Sequence, residues 1–363
     1  MIDNNIHCNK KNNCQKYFSL TKKCIILQFI IIDITLIMDT KAKFLGLEIK
    51  SPIIAGSCGL TNNIENLEKL EEAGAGAVIL KSVFEEQIIY DIKRNLSMMA
   101  PVDSYGMSYE YIASHVADDS LSVHFDLIKE AKKRLHIPVI GSINCYSFEN
   151  WMTYTKRFQD AGCDAIELNM AILPYETNLS CEDVDRLFSD VINTLRKSVS
   201  IPISIKVGQN FTDMANFMQR LSWMGINGIT MFNKALNVDI DTEKFEITHA
   251  PSLSSPEEVY NTLRWVAILS KKLRCNISAS TGVHTADDVV KMLLAGASTV
   301  QVVSCLYKNG VEYMRTLNDG LNKWMSDKGY ENIEQFRGKL AVKNNDQASL
   351  FFRTQFMKHF AQI

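Results

Sequence analysis

No two cysteines in this chain are spaced Cys-x-x-Cys, and their number is odd: nine, at positions 8, 14, 24, 58, 145, 163, 181, 275 and 305. That argues against a disulfide framework and against a zinc site, and a reducing, cytoplasmic setting fits best. Charge excess is also missing. The 39 Lys+Arg and 41 Asp+Glu leave a net charge of −2, which is no electrostatic footprint for nucleic acid. Hydrophobic residues make up 46% and charged residues 22%, so disorder, collagen and coiled coil are excluded as the main state. A length of 363 residues suggests two domains, but α/β barrels of this size are routinely single.

Residues 1–37 differ from the rest. They contain no Gly or Pro, and Lys10, Lys11, Lys16, Lys22 and Lys23 precede an apolar run from Cys24 to Met38. That run is short for a bilayer span and Asp33 interrupts it, so a membrane role is not expected to dominate. A signal peptide would need small residues at a cleavage site, and Ile-Thr-Leu-Ile-Met has none. A membrane-association segment ranks second. The favoured reading takes Met38 as the start and the preceding residues as upstream or unstructured sequence.

From residue 44 onward, short apolar or β-branched runs alternate with stretches of helical period. The runs are Ile53–Ser57, Ala77–Ser82, Pro138–Asn144, Ala165–Met170, Pro202–Val207, Gly228–Asn233, Asn276–Ser280 and Thr299–Ser304. Helices are expected to start near 61, 122, 147, 180, 212, 256, 285 and 309. Several end in a small residue and Gly just before the next run, as in "EEAGAGAVIL" and "QDAGCDAIEL"; the glycine supplies a left-handed C-cap. Thr285-Ala286-Asp287-Asp288 reads as a capping box and Pro256 as a first-turn proline. Eight such units predict an α/β fold, a (β/α)₈ TIM barrel over residues 38–345. A C-terminal helical tail is expected over 346–363. A doubly wound sheet is the alternative, but it needs an open edge. The longest gaps follow strands 2, 4 and 6, which places insertions on the C-terminal face. "KFLGLEIKSP" reads as a hairpin closing the barrel bottom.

Buried parallel strands should be nearly all apolar, yet polar residues gather at their C-terminal ends: Ser57, Lys81, Ser82, Asn144, Asn169, Lys206, Asn233, Thr281 and Ser304. Each alone has a plain reading. Lys81 could mark the strand's edge with solvent, Asn144 and Asn233 could cap turns, and Cys58 and Cys163 are small buried residues. Lys206 is harder to dismiss, since Ile203, Ile205 and Val207 surround it; a lysine there must find a partner. Together these residues imply a polar pocket at one face, and FMN fits it. The loops after strands 7 and 8, "SASTGVHTADD" and "VVSCLYKNG", stand where barrels hold phosphate. Lys206 is the candidate to stabilise the reduced ring.

The stretches "SPIIAGSCGLTNNIENLEKL", "GAVILKS", "DSYGMSYEY", "IELNM", "IKV", "FNK", "STGVHTADDVVKMLLAGASTVQVVSCLYKNG" and "KGYENIEQFRGKL" resemble the dihydroorotate dehydrogenase family, nearest its soluble, FMN-dependent class 1. The resemblance covers about four fifths of the chain. It implies that Gly56 and Ser57 pack against the flavin and that Lys81, followed by Ser82, lies near both flavin and substrate. It implies that Asn169 and Asn233 hold the substrate, with Asn144 in the same pocket, and that Lys206 is the flavin lysine. Thr281-Gly282 and Ser304-Cys305 stand in place of the family's Gly-Gly and Gly-Thr phosphate pairs. A homodimer would match the class, as would a role in pyrimidine biosynthesis.

The departures from the family carry as much weight. Its base lies in an Asn-x-Ser-Cys-Pro-Asn loop; here the loop is "NMAILPYE" and the base position falls on Ile172, which takes no proton. Tyr175 and Cys181, further along, are the substitutes. The family's substrate Asn becomes Asp103, and the residue after Asn233 becomes Lys234, which could offset that charge. The expectation is therefore an FMN-dependent oxidoreductase of CH–CH groups whose small-molecule substrate differs from dihydroorotate. The alternatives are a true dihydroorotate dehydrogenase with a relocated base and, third, a non-redox barrel binding a phosphorylated metabolite.

Overall fold

The computed structural model describes residues 38–98, 109–170, 172–173, 176–235 and 237–343. The expectations for residues 1–37, 346–363, Asp103 and Tyr175 lie outside these residues. The compact unit Thr40–Ile363 begins with an antiparallel hairpin, β1 (Ala42–Phe44) and β2 (Leu47–Ile49). Its two turn residues, Leu45 and Gly46, have φ of 55° and 82°, the turn whose twist matches a two-residue hairpin. The hairpin is a plug. Phe44, Leu45 and Ile49 are buried in one cluster with Ile54, Ala77, Ile79, Ile140 and Ala165. The Leu45 N–H donates to Asn276 Oδ1 at 2.9 Å, and Leu45 approaches so near Gly228 that a Cβ there would lie 2.6 Å from its Cδ2.

The barrel strands are β3 (Ile53–Ala55), β4 (Val78–Ile79), β5 (Val83–Phe84), β6 (Val139–Asn144), β7 (Ala165–Met170), β8 (Ile203–Val207) and β9 (Gly228–Met231), then, after a second hairpin of β10 (Val238–Asp241) and β11 (Glu246–His249), β12 (Asn276–Ser280) and β13 (Thr299–Val302). All pairings in the barrel are parallel. Closure comes where β13 meets β3, Val300 opposite Ile53, and β4 meets β6, Val78 opposite Val139. Both β4 and β5 pair with β6, so they are two segments of one strand and the barrel has eight strands. Between them Ile79 faces Ile140 and Val83 faces Ile143. Leu80, Lys81 and Ser82 therefore span the gap that Gly141 and Ser142 span opposite. This is a one-residue bulge, a device that re-aims a side chain, and Lys81 is its middle residue.

The helices are α1 (Ile64–Glu72), α2 (Glu85–Met98), α3 (Tyr109–Arg134), α4 (Phe148–Ala161), α5 (Cys181–Ser198), α6 (Met214–Trp223), α7 (Val259–Leu269), α8 (Ala286–Ala295), α9 (Ser304–Asn309) and α10 (Tyr313–Lys328). Their ends follow the sequence signals. Thr285 caps α8, and Asp288 accepts from the Thr285 N–H and hydroxyl at 3.0 and 2.8 Å. Gly162 and Gly296 close α4 and α8 in the left-handed region, at φ of 106° and 108°. Two expectations need correction. The second helical unit does not begin near 122: α2 starts directly after β5, and α3 runs unbroken from Tyr109 to Arg134. Ser304, expected as the last residue of strand 8, opens α9 instead, and that helix precedes the start expected near 309.

Leu45 plugs the barrel end opposite the strand C-termini, so Leu45→Ala is expected to lower stability by about 2–4 kcal/mol, the cost of a buried Leu truncation with its cavity. Urea unfolding followed by far-UV circular dichroism measures it, and ligand affinity at the other end should be unchanged.

Candidate active site

A cleft opens over the C-terminal ends of the strands, as two continuous lobes of about 540 and about 510 Å³. Ser57, Cys58, Gly59, Lys206, Asn233 and Lys234 line both. Each lobe is of the size that encloses a small organic ligand.

The first lobe collects Lys81, Ser82, Asn144, Asn169 and Lys206 from strands 2 to 5. A relay of hydroxyls underlies it. Ser57 Oγ lies 3.0 Å from Ser82 Oγ and accepts from the Ser82 N–H at 2.9 Å, and Ser82 Oγ lies 2.7 Å from Ser142 Oγ. Their bonds tie strands 1, 2 and 3 beneath the bulge that carries Lys81. Asn144 Nδ2 donates to the Asn169 carbonyl at 3.0 Å. Asn169 Oδ1 is buried in the lobe wall with no hydrogen-bond partner; an acceptor in that state is poised for a donor on a ligand. The loop after β7 turns Ile172 and Leu173 into the lobe, so the expected base position presents a hydrocarbon surface. Cys181 does not join the site: it is the exposed first residue of α5 and lines neither lobe.

The second lobe lies over strands 7 and 8. Thr281 and Gly282 have φ of 81° and 83°. A Cβ on Gly282 would stand 2.1 Å from the Val259 backbone nitrogen, so this position admits only glycine. Thr281 keeps a glycine-like conformation that a β-branched residue resists, anchored by its hydroxyl donating to the Phe232 carbonyl at 2.9 Å. Ser254 is a hub that sequence reasoning missed. Its N–H and hydroxyl donate to Ser304 Oγ at 2.9 and 3.0 Å, and its Oγ accepts from the Gly282 N–H at 3.3 Å. Its carbonyl lies 3.0 Å from His284 Nε2 and accepts from Lys308 Nζ at 3.3 Å. Burial and the neighbouring Lys308 charge hold the His284 imidazole below its ordinary pKa. Gly56 and the Cys305 side chain line neither lobe. A Cβ on Gly56 would press to 2.8 Å of Val303 Cγ2, and burial pushes the Cys305 thiol up to about 12.

Charge in the cleft is one-sided. Its described lining residues include Lys81, Lys206 and Lys234, and no carboxylate or histidine. Lys234 pairs with Glu258 at 3.1 Å and Lys206 sits 3.8 Å from Glu167. Among the described residues Lys81 is the lining cation with no carboxylate partner. Burial raises the Cys58 thiol above its ordinary range, so it stands in the cleft as a neutral group at pH 7. Two more residues escaped the sequence reading: Glu167 and Gln301, both fully inside the barrel. A charged and an amide residue in the middle of "AIELNM" and "TVQVV" were the available signal. Among the described residues no His, Cys, Asp and Glu side chains cluster as metal ligands, and no helix is long and apolar enough to cross a membrane.

The chain is similar in sequence to known proteins. The family model described as dihydroorotate dehydrogenase matches residues 39–325. The catalytic subunit of dihydroorotate dehydrogenase B (NAD(+)) from Thermoplasma acidophilum is 26% identical over 306 residues, covering 83% of this chain and 98% of that one. Its namesake from Pyrococcus furiosus is 24% identical, over 83% and 98%. Subunit PreA of the NAD-dependent dihydropyrimidine dehydrogenase of Escherichia coli is 21% identical, over 83% of this chain and 76% of its own. A match over most of the barrel, together with lysines and amides gathered at its C-terminal mouth, makes this chain a member of the dihydroorotate dehydrogenase family, an oxidoreductase.

Proposed function

We propose that the protein is an FMN-dependent oxidoreductase that acts on a CH–CH bond of a small, cyclic, anionic substrate of the dihydropyrimidine type. The observation that carries this reading is the convergence of Lys81 and Lys206 with three asparagines on one cleft that runs on to the Thr281-Gly282 and Ser304 turns. The residues present fit the cofactor. Asn169 Oδ1 is an unpartnered acceptor in the wall, and glycine at 282 brings bare backbone to the second lobe. When bound, FMN supplies the hydride acceptor at its N5. The turns at 281–282 and 304–305 would hold its phosphate, Ser57, Ser82, Asn144 and Lys206 its ring, and Gly56 sets the close approach of strands 1 and 8 beside it.

On the substrate side, Lys81, without a carboxylate of its own among the described residues, offers the charge that an anionic group needs, and Asn169 and Asn233 orient the ring by hydrogen bonds. Asp103 and Lys234 take the substrate positions that the family resemblance assigns. Ile172 is the point of departure. A general base contributes about 10²–10⁴ in rate, and Ile172 and Leu173 offer none. This supports a substrate other than dihydroorotate, and the PreA likeness keeps it within dihydropyrimidine chemistry. The names of the dihydroorotate dehydrogenase B relatives support the second reading, a dihydroorotate dehydrogenase whose base is Tyr175 or Cys181; Cys181 is disfavoured by its exposed place outside both lobes. The nine cysteines without framework spacing support a cytoplasmic setting.

The purified protein is expected to be yellow, with a flavin spectrum in the 370–450 nm region at roughly one FMN per chain; a colourless protein that takes up no added FMN overturns the reading. Anaerobic dihydroorotate should bleach that flavin slowly, and Ile172→Cys should speed bleaching by about 10²-fold or more. Fast bleaching of the wild type, abolished by Tyr175→Phe, would favour the second reading. Lys81→Met should weaken binding of orotate, titrated through the flavin spectrum, by about tenfold to 100-fold, the loss of one hydrogen bond to a charged group.

A further inference from the structure

Lys206 is almost wholly buried, and an ammonium so placed requires a partner. Its Nζ donates to Gln301 Oε1 at 3.2 Å and lies 3.8 Å from Glu167 Oε1. Glu167 Oε2 in turn accepts from Gln301 Nε2 at 2.6 Å and from the Thr230 hydroxyl at 2.7 Å. These bonds join strands that are not neighbours in the sheet. β7 pairs with β6 and β8, while β13 pairs with β12 and β3, so the Glu167–Gln301 and Lys206–Gln301 bonds cross the barrel lumen. The logic of donors fixes the arrangement. A carboxylate only accepts, so it draws the Gln301 amino group, and the Gln301 oxygen is left facing Lys206. Glu167 Oε1 remains buried without a hydrogen bond, which a structural carboxylate would not tolerate at no cost; its nearest compensation is the Lys206 charge.

We propose that Glu167 is a positioning residue: acting through Gln301, it holds the Lys206 ammonium at the barrel axis beneath the cleft and thereby sets the reduction potential of the flavin bound there. The inference rests on the FMN reading above. In Glu167→Gln the amide oxygen takes the Oε2 position, where Gln301 Nε2 and the Thr230 hydroxyl both donate, and the new amino group therefore takes the Oε1 position, 3.8 Å from the Lys206 ammonium. The ammonium loses its counter-charge and meets a donor in its place, so it shifts from its position and its support for the reduced flavin falls. Exchanging the pair, as Glu167→Gln with Gln301→Glu, restores one carboxylate and one amide with the same net charge and puts the carboxylate at the position that accepts from Lys206.

The test is the midpoint potential of FMN bound to the wild type, to E167Q and to the E167Q/Q301E exchange, by anaerobic titration with reference dyes, with the FMN Kd measured by fluorescence quenching. E167Q is expected to lose about tenfold in its preference for reduced over oxidised FMN, a midpoint about 30 mV more negative for a two-electron couple. The exchange should recover most of that shift. An E167Q potential that is unchanged or more positive makes Glu167 a mere counter-charge and overturns the proposal while leaving the FMN reading intact. Should E167Q not fold, the exchange alone decides: a potential near that of the wild type supports the proposal, and one displaced as far as that expected for E167Q overturns it. Failure of both variants to fold makes Glu167 a folding residue and overturns it as well. A wild type that binds no FMN overturns both readings together.

Discussion

Closure of the sheet between strands 8 and 1 is the constraint from which the site follows. Val300, Gln301 and Val302 pair with Ile53, Ile54 and Ala55, and once that seam forms no strand has a free edge. Every strand then ends at the same rim. Lys81, Asn144, Asn169, Lys206 and Asn233, scattered over 153 residues of sequence, meet around one cleft because the ring has a single C-terminal mouth. The plug of Phe44 and Leu45 at the other end leaves the mouth as the open side.

The interior departs from the apolar layers usual in such barrels. Ser142, Glu167, Ser204, Thr230, Ser278, Thr299 and Gln301 are all buried, and several bond to one another across or along the lumen. Polar groups at this depth cost free energy unless paired, and Glu167 Oε1 and Ser204 Oγ are buried without a hydrogen bond. The network is therefore costly unless its one cation and one anion, Lys206 and Glu167, stay together. That dependence links the core of the fold to the floor of the site. A change at Glu167 is felt in the cleft, although Glu167 lines neither of its lobes.

Local sequence signals carried the repeating architecture well. Alternating runs, capping residues and C-terminal glycines are short-range features, and all eight strands stand where those signals place them. Strand ends shifted by a few residues, as at Ser304, which opens α9. After strand 2 the expected start near 122 falls inside the helix Tyr109–Arg134, and a second helix, Glu85–Met98, precedes it. Lys206 was legible because a charge among β-branched residues has no cheap explanation. Glu167 and Gln301 pose the same question from strand middles, where only the barrel's closure shows that they face each other.

By itself, then, the sequence settled the order and type of elements, the barrel class, and the lysines and amides at the rim. These follow from residue type and local spacing. Three matters awaited the tertiary structure: the bulge that re-aims Lys81, the Ser254 hub behind the strand 7–8 turns, and the pairing of Glu167 with Gln301 across the lumen. Each depends on which distant segments closure of the barrel brings together. Contacts between residues from about thirty to over a hundred positions apart are fixed by register and closure, and no short window of sequence contains that information.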